Sequence, residues 1–184
     1  PGTSPTNADS LVFLVAFDED VTGVDTADFA VNGATTSAVT NVSQSTASTY
    51  LVTISGGDLP AFNGTIGLNL AGSPSVSDLA GNALPTGEPG TDQTYLLDNT
   101  APSLTSFTRS SPPSTPTNAD TLVFTATFNE SVQNVDVADF QVTGTDATVT
   151  GVSMTSGSIY QLTVSGGNLA SFNGTVGINV AAGA

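Results

Sequence analysis

PTNADSLVFLVAFDEDVTGVDTADFAVNG, residues 5–33, returns nearly unchanged as PTNADTLVFTATFNESVQNVDVADFQVTG, residues 116–144, at an offset of 111. A second stretch, YLVTISGGDLPAFNGT at residues 50–65, returns as YQLTVSGGNLASFNGT at residues 160–175, at an offset of 110. One residue is therefore lost from the second copy, somewhere within residues 145–148. The unit is about 110 residues, the size of a β-sandwich domain and far longer than a solenoid repeat.

The two copies form a small substitution experiment. Leu11, Phe13, Val15 and Phe17 become Leu122, Phe124, Ala126 and Phe128, all apolar. The alternate positions Leu14 and Ala16 become Thr125 and Thr127. A period of two with one apolar phase is a strand with one face on a core. The same comparison turns Tyr50, Val52 and Ile54 inward with Tyr160, Leu162 and Val164, while Leu51 becomes Gln161. Ile66, Leu68 and Leu70 match Val176, Ile178 and Val180. No segment sustains a period of 3.6, so the class is all-β.

Working outward, turn signals separate these runs. Asn32-Gly33, Ser55-Gly56-Gly57, Asn63-Gly64 and Gly81-Asn82 tolerate positive φ. Pro112, Pro113 and Pro116 mark a loop before the second copy's first long strand. Seven strands per unit are predicted, near residues 103–108 (A), 10–17 (B), 27–32 (C), 38–43 (D), 49–55 (E), 65–70 (F) and 93–98 (G). Strand A is legible only ahead of the second copy and strand G only after the first. An open sheet edge, with its hazard of intermolecular pairing, is expected at each place.

Composition narrows the chemistry. The chain of 184 residues has 16 acidic residues against one basic one, Arg109, for a net charge of −15. It has no Cys, His, Lys or Trp. Disulfides, thiolate nucleophiles, imidazole bases, Schiff-base lysines and Cys/His zinc sites are thereby excluded. Such an acidic surface repels nucleic acid and anionic membranes and favours cations. No apolar run approaches the ~18 residues of a membrane span. Charged residues are 9%, against roughly 25% in an average soluble chain. Ser and Thr supply the polarity instead. Asn41, Asn63, Asn129 and Asn173 open Asn-x-Ser/Thr triplets, which a Ser/Thr-rich chain produces by chance.

The segments Ser75–Leu84 (SVSDLAGNAL) and Tyr95–Phe107 (YLLDNTAPSLTSF), together with the repeated PTNAD opening, resemble the bacterial immunoglobulin-like repeats of giant surface proteins and adhesins. The first copy carries the whole pattern and the second carries it as far as Ala184. The resemblance implies two tandem immunoglobulin-like sandwiches, residues 1–99 without strand A and residues 100–184 without strand G. It also implies an extracellular stalk, sheath or surface layer, with neighbouring repeats as the first partners and identical subunits or other surface proteins as further ones. Asp98-Asn99-Thr100-Ala101-Pro102 is similar to the calcium-rigidified linkers of cadherins.

The acids cluster between strands B and C. Asp18, Glu19, Asp20, Asp25 and Asp28 stand there in the first copy, and Glu130, Asp136 and Asp139 at matching positions in the second. Asp78 lies in the predicted FG loop, and Asp98 and Asn99 follow strand G. Carboxylates with amide and backbone oxygens suit Ca²⁺, which takes six to eight oxygen ligands. The expectation is a Ca²⁺ ion at each junction; the competing expectation is that Asp28 and Asp139, and likewise Glu19 and Glu130, cap local backbone N–H groups. A structural spacer is the leading function. A binding or self-assembly module, through strand exchange or carbohydrate, is the second. An enzyme is not expected, because only carboxylates are at hand and they sit on loops that recur in both copies.

Overall fold

The computed structural model describes residues 4–183. It is all-β, with 3-10 turns as its only helical elements among those residues. The chain divides into two compact units, Pro1–Thr100 and Ala101–Ala184.

Unit 1 contains β1 (Ser10–Ala16), β2 (Val21–Thr22), β3 (Phe29–Asn32), β4 (Ala38–Thr46), β5 (Thr49–Ser55), β6 (Gly64–Leu70), β7 (Ser77–Asp78) and β8 (Tyr95–Leu97). One sheet has the order β1-β5-β4 and another the order β3-β6-β8, with β2 and β7 paired as a short ladder. All the named ladders are antiparallel. Thr6 adds a parallel bridge to Leu97, so the residues ahead of β1 are stitched to β8. Alternation decides which side chains enter the core. Leu11 and Phe13 of β1, Ile54 of β5, Ile66 of β6 and Tyr95 and Leu97 of β8 form one buried cluster between the two sheets. Leu14, in the opposite phase, is 63% exposed.

Unit 2 contains β9 (Leu104–Ser111), β10 (Thr121–Phe128), β11 (Phe140–Thr143), β12 (Thr148–Ser156), β13 (Ile159–Ser165) and β14 (Gly177–Val180). Its sheets have the orders β12-β13-β10-β9 and β11-β14. The core joins Phe124, Ala126, Phe140, Val149, Tyr160, Leu162, Val164, Leu169 and Ile178. Of the matched inward positions, Phe13 and Phe124, Tyr50 and Tyr160, Val52 and Leu162, and Ile54 and Val164 are buried in both units, whereas Val15, Phe17, Leu122 and Phe128 are half-buried and Val180 is exposed. Predicted strand A is observed as β9 and runs three residues further, through the exposed Arg109 to Ser111.

One aromatic pair is common to the units. Phe17 meets Tyr50 edge-on at 5.9 Å, and Phe128 meets Tyr160 edge-on at 6.0 Å. Each tyrosine is buried and donates its hydroxyl to a backbone carbonyl, Val21 at 3.1 Å and Val132 at 2.9 Å. A buried phenol needs such a partner. The positions are structural, as their strand phase indicates.

Candidate functional site

Carboxylates supply nearly all of the chain's charge, 16 acidic residues against one basic one. Asp18, Glu19 and Asp20 lie on the exposed loop between β1 and β2. Asp25 and Asp28 do something different. Asp25 is the N-cap of the 3-10 turn Thr26–Asp28, and its Oδ1 accepts from the Ala27 N–H at 2.7 Å. Asp28 reaches back and accepts from the Asp25 N–H at 2.7 Å, closing a capping box. Its other oxygen accepts from the Ser75 N–H and the Ser75 hydroxyl. Asp28 is 1% exposed, so this carboxylate ties the turn before β3 to the segment before β7 inside the fold.

The second unit repeats half of that device. Asp136 caps the turn Val137–Asp139 through the Ala138 N–H at 2.7 Å, and Asp139 accepts from the Asp136 N–H at 2.7 Å. Asp139 is half-buried. Glu130 is half-buried on the loop after β10. The capping expectation is thus realised at Asp28 and Asp139.

Asp78 holds its own turn. Its two oxygens accept from the Asn82 N–H at 2.7 Å and the Asn82 Nδ2 at 2.6 Å. These bonds, the Asn82 amide first, hold its carboxyl below the ordinary aspartate value of 3.8. Asp98 accepts from the Thr100 N–H at 3.1 Å. Asn99 donates its side-chain amide to the Phe62 carbonyl at 2.7 Å and the Leu59 carbonyl at 3.2 Å, and its own N–H to Asn63 at 2.7 Å. The exit of β8 is thereby laced to the turn Leu59–Ala61.

Sequence reasoning passed over a further carboxylate pair. In unit 1, Asp58 accepts from the Thr35 hydroxyl and from the Thr36 N–H at 2.8 Å. The Thr36 hydroxyl in turn accepts from the Asp58 N–H at 3.0 Å. In unit 2 the carboxylate changes sides: Asp146 accepts from the Asn168 N–H at 2.6 Å, while the Thr145 hydroxyl bonds the Asn168 side chain. Thr35 and Thr145 are equivalent, which places the lost residue at Ala34 rather than within 145–148. The signal was present in the sequence as the coupled change of Thr36 and Asp58 into Asp146 and Asn168. The Thr35 hydroxyl, followed by the Thr36 N–H, holds the Asp58 carboxyl below its ordinary value.

Most of the nominated acids are thus engaged with backbone groups of their own unit. Among the described residues, no three acidic side chains converge on a point that would hold a metal ion. The exposed carboxylates Asp18, Glu19 and Asp20 take no part in this capping. Comparisons with protein-family models, curated proteins and solved structures return no match. Among the described residues, no helix is long and apolar enough to cross a membrane.

Proposed function

We propose that the chain is a structural spacer: two immunoglobulin-like sandwich repeats of an extracellular stalk, sheath or surface layer, without catalytic activity. The observation that carries this reading is the recurrence in both units of the same inward core positions, the same Phe–Tyr pair and the same aspartate capping box. The strand orders support the immunoglobulin-like assignment. In unit 2 the sheet β12-β13-β10-β9 reads D-E-B-A, and in unit 1 the sheet β3-β6-β8 reads C-F-G. The titratable groups support the non-catalytic reading, since the acids with defined geometry are capping or clamping backbone. The tyrosines that a carbohydrate platform would need are buried at positions 50 and 160.

Calcium belongs to the same proposal as a ligand of the exposed loop acids Asp18, Glu19 and Asp20. Asp28 is excluded from that role by its enclosure and its three protein donors. The test is a thermal melt of the 184-residue chain in saturating calcium and then in excess chelator. Calcium at ~100 times its Kd adds about 2.7 kcal/mol, or roughly ten degrees for domains of this size. A melt indifferent to calcium removes the cation from the proposal. The spacer reading itself is tested by scattering: an extended particle whose length grows stepwise as repeats are added supports it. A compact particle, or hydrolysis of a glycan by the purified chain, overturns it.

A further inference from the structure

We propose that unit 1 carries a mechanical clamp: residues 4–6 and strand β8, held side by side in parallel, bear in shear a load applied through the two ends of the unit. The inference deepens the spacer reading and rests on it, since a stalk is the setting in which such a load arises.

The load path follows from the chain. Tension enters unit 1 ahead of Ser4 and leaves it past Asp98. Between those points, Thr6 and Leu97 form a parallel bridge. The Thr6 N–H donates to the Leu96 carbonyl at 3.0 Å, and the Asp98 N–H donates to the Thr6 carbonyl at 3.0 Å. The Leu96 N–H donates to the Ser4 hydroxyl at 2.8 Å. In a parallel pair, tension at the N-terminal side of one segment and the C-terminal side of the other drags the two in opposite directions along their own axes. The bonds run between the segments, across that direction, so they must stretch together. The same bonds loaded from one end of the pair would open one at a time.

The surroundings hold the clamp in place. β8 is anchored from inside, because Leu97 is buried and the buried Tyr95 donates its hydroxyl to the Val12 carbonyl at 3.0 Å. Its far side pairs with β6, from Gly64 opposite Leu97 to Ile66 opposite Tyr95. Its exit is stapled by Asn99 to Leu59, Phe62 and Asn63, and the Thr100 hydroxyl donates to Asn63 at 3.3 Å. Tension arriving at Thr100 therefore meets the Asn99 staple before it reaches β8. Thr6 is half-buried, which limits the water that would replace its stretched bonds.

Forced unfolding is governed by the unfolding rate and not by equilibrium stability. The direction of pull is therefore the discriminating variable, since it changes while the protein and its stability do not. The chain has no cysteine, so thiol handles can be placed singly. The experiment is single-molecule pulling of the 184-residue chain, first between handles beyond Pro1 and beyond Ala184. The second geometry pulls between Pro1 and Thr94→Cys, an exposed position that loads the N-terminal end of β8 and peels the same bonds. In the first geometry, unit 1 is recognised by the roughly 300 Å released between Thr6 and Asp98. Its rupture force is expected to be about twofold or more that of the second geometry, because several bonds share the load. Thr6→Pro with Asp98→Pro removes both backbone donors. That variant is expected to bring the first force down to the second and to leave the second little changed.

Equal forces in the two geometries on the unaltered chain overturn the proposal. So does a double variant whose force is unaltered, or one that weakens equally in both geometries. If the variant does not fold, the two geometries on the unaltered sequence still decide. Scattering keeps this test apart from the spacer reading. A compact particle that resists shear retains the clamp and removes the stalk, whereas an extended particle with equal forces removes the clamp alone.

Discussion

Units 1 and 2 share a sequence pattern but close their cores differently. Unit 1 is sealed by β8, whose Tyr95 stacks edge-on against Phe13 at 5.1 Å. Unit 2 is sealed from another side by β9, whose Phe107 meets Phe140. The continuous stretch 95–111 supplies both strands. The consequences are local: Ile66, paired with Tyr95 through β8, is fully buried, whereas its counterpart Val176 is only half-buried. A residue's role in this fold is set by which edge is covered as much as by its own identity.

The largest expected difference between the units follows from that coverage. Ile66→Ala is expected to cost about 4 kcal/mol, and Val176→Ala about 1 kcal/mol, because only the first leaves an enclosed cavity. Hydrogen exchange resolved by unit measures both. Equal losses would break the comparison and show that Val176 is as well enclosed as Ile66.

The capping aspartates sharpen it further. Asp28→Ala is expected to cost about 2 kcal/mol, since it removes a buried carboxylate's hydrogen bonds to the Ser75 N–H and hydroxyl as well as the cap. Asp139→Ala is expected to cost about 1 kcal/mol, the worth of a cap alone. Denaturant titration of each variant, read separately in each unit, gives the two numbers.

The smallest expected effect is acid sensitivity. The carboxyls of Asp58 and Asp78 are lowered in the folded chain, and both belong to unit 1. A lowered folded value means stability that is complete above the ordinary aspartate range. That stability is lost as pH falls below 3.8 and through the lowered values. An acid melt should therefore reduce this contribution in unit 1, and the pair Thr36→Asp with Asp58→Asn should install unit 2's arrangement and shift the profile. A loss in Asp58→Asn that is present at neutral pH and fades in acid, where the wild-type carboxyl is protonated, would agree with this assignment; an equal loss at both, or an unaltered acid profile, would count against it.

The strands were legible because both copies obey one alternation. A substitution such as Leu14 to Thr125 reveals a solvent face without any structure. Turn residues were legible for a similar reason: Gly23, at a φ of 79°, is replaced by Asn134, at a φ of 58°, one of the few side chains that accept that region. The acids were less legible. A run of carboxylates reads alike whether it awaits a cation or caps backbone N–H groups, since both demand short oxygen-bearing side chains on loops. Asp58 escaped notice because its partner Thr36 lies across a whole hairpin.

The sequence by itself determined the all-β class, the repeat and the inward phase of each long strand, because alternation is a local consequence of the pleat. Tertiary structure alone decided that Asp28 is an internal tie to Ser75, that Asn99 ties the exit of β8 to the Leu59 and Phe62 carbonyls, and that the Tyr50 hydroxyl is held by the Val21 carbonyl. Each of these depends on groups distant along the chain being brought within hydrogen-bonding reach, and no local pattern of side chains encodes that distance.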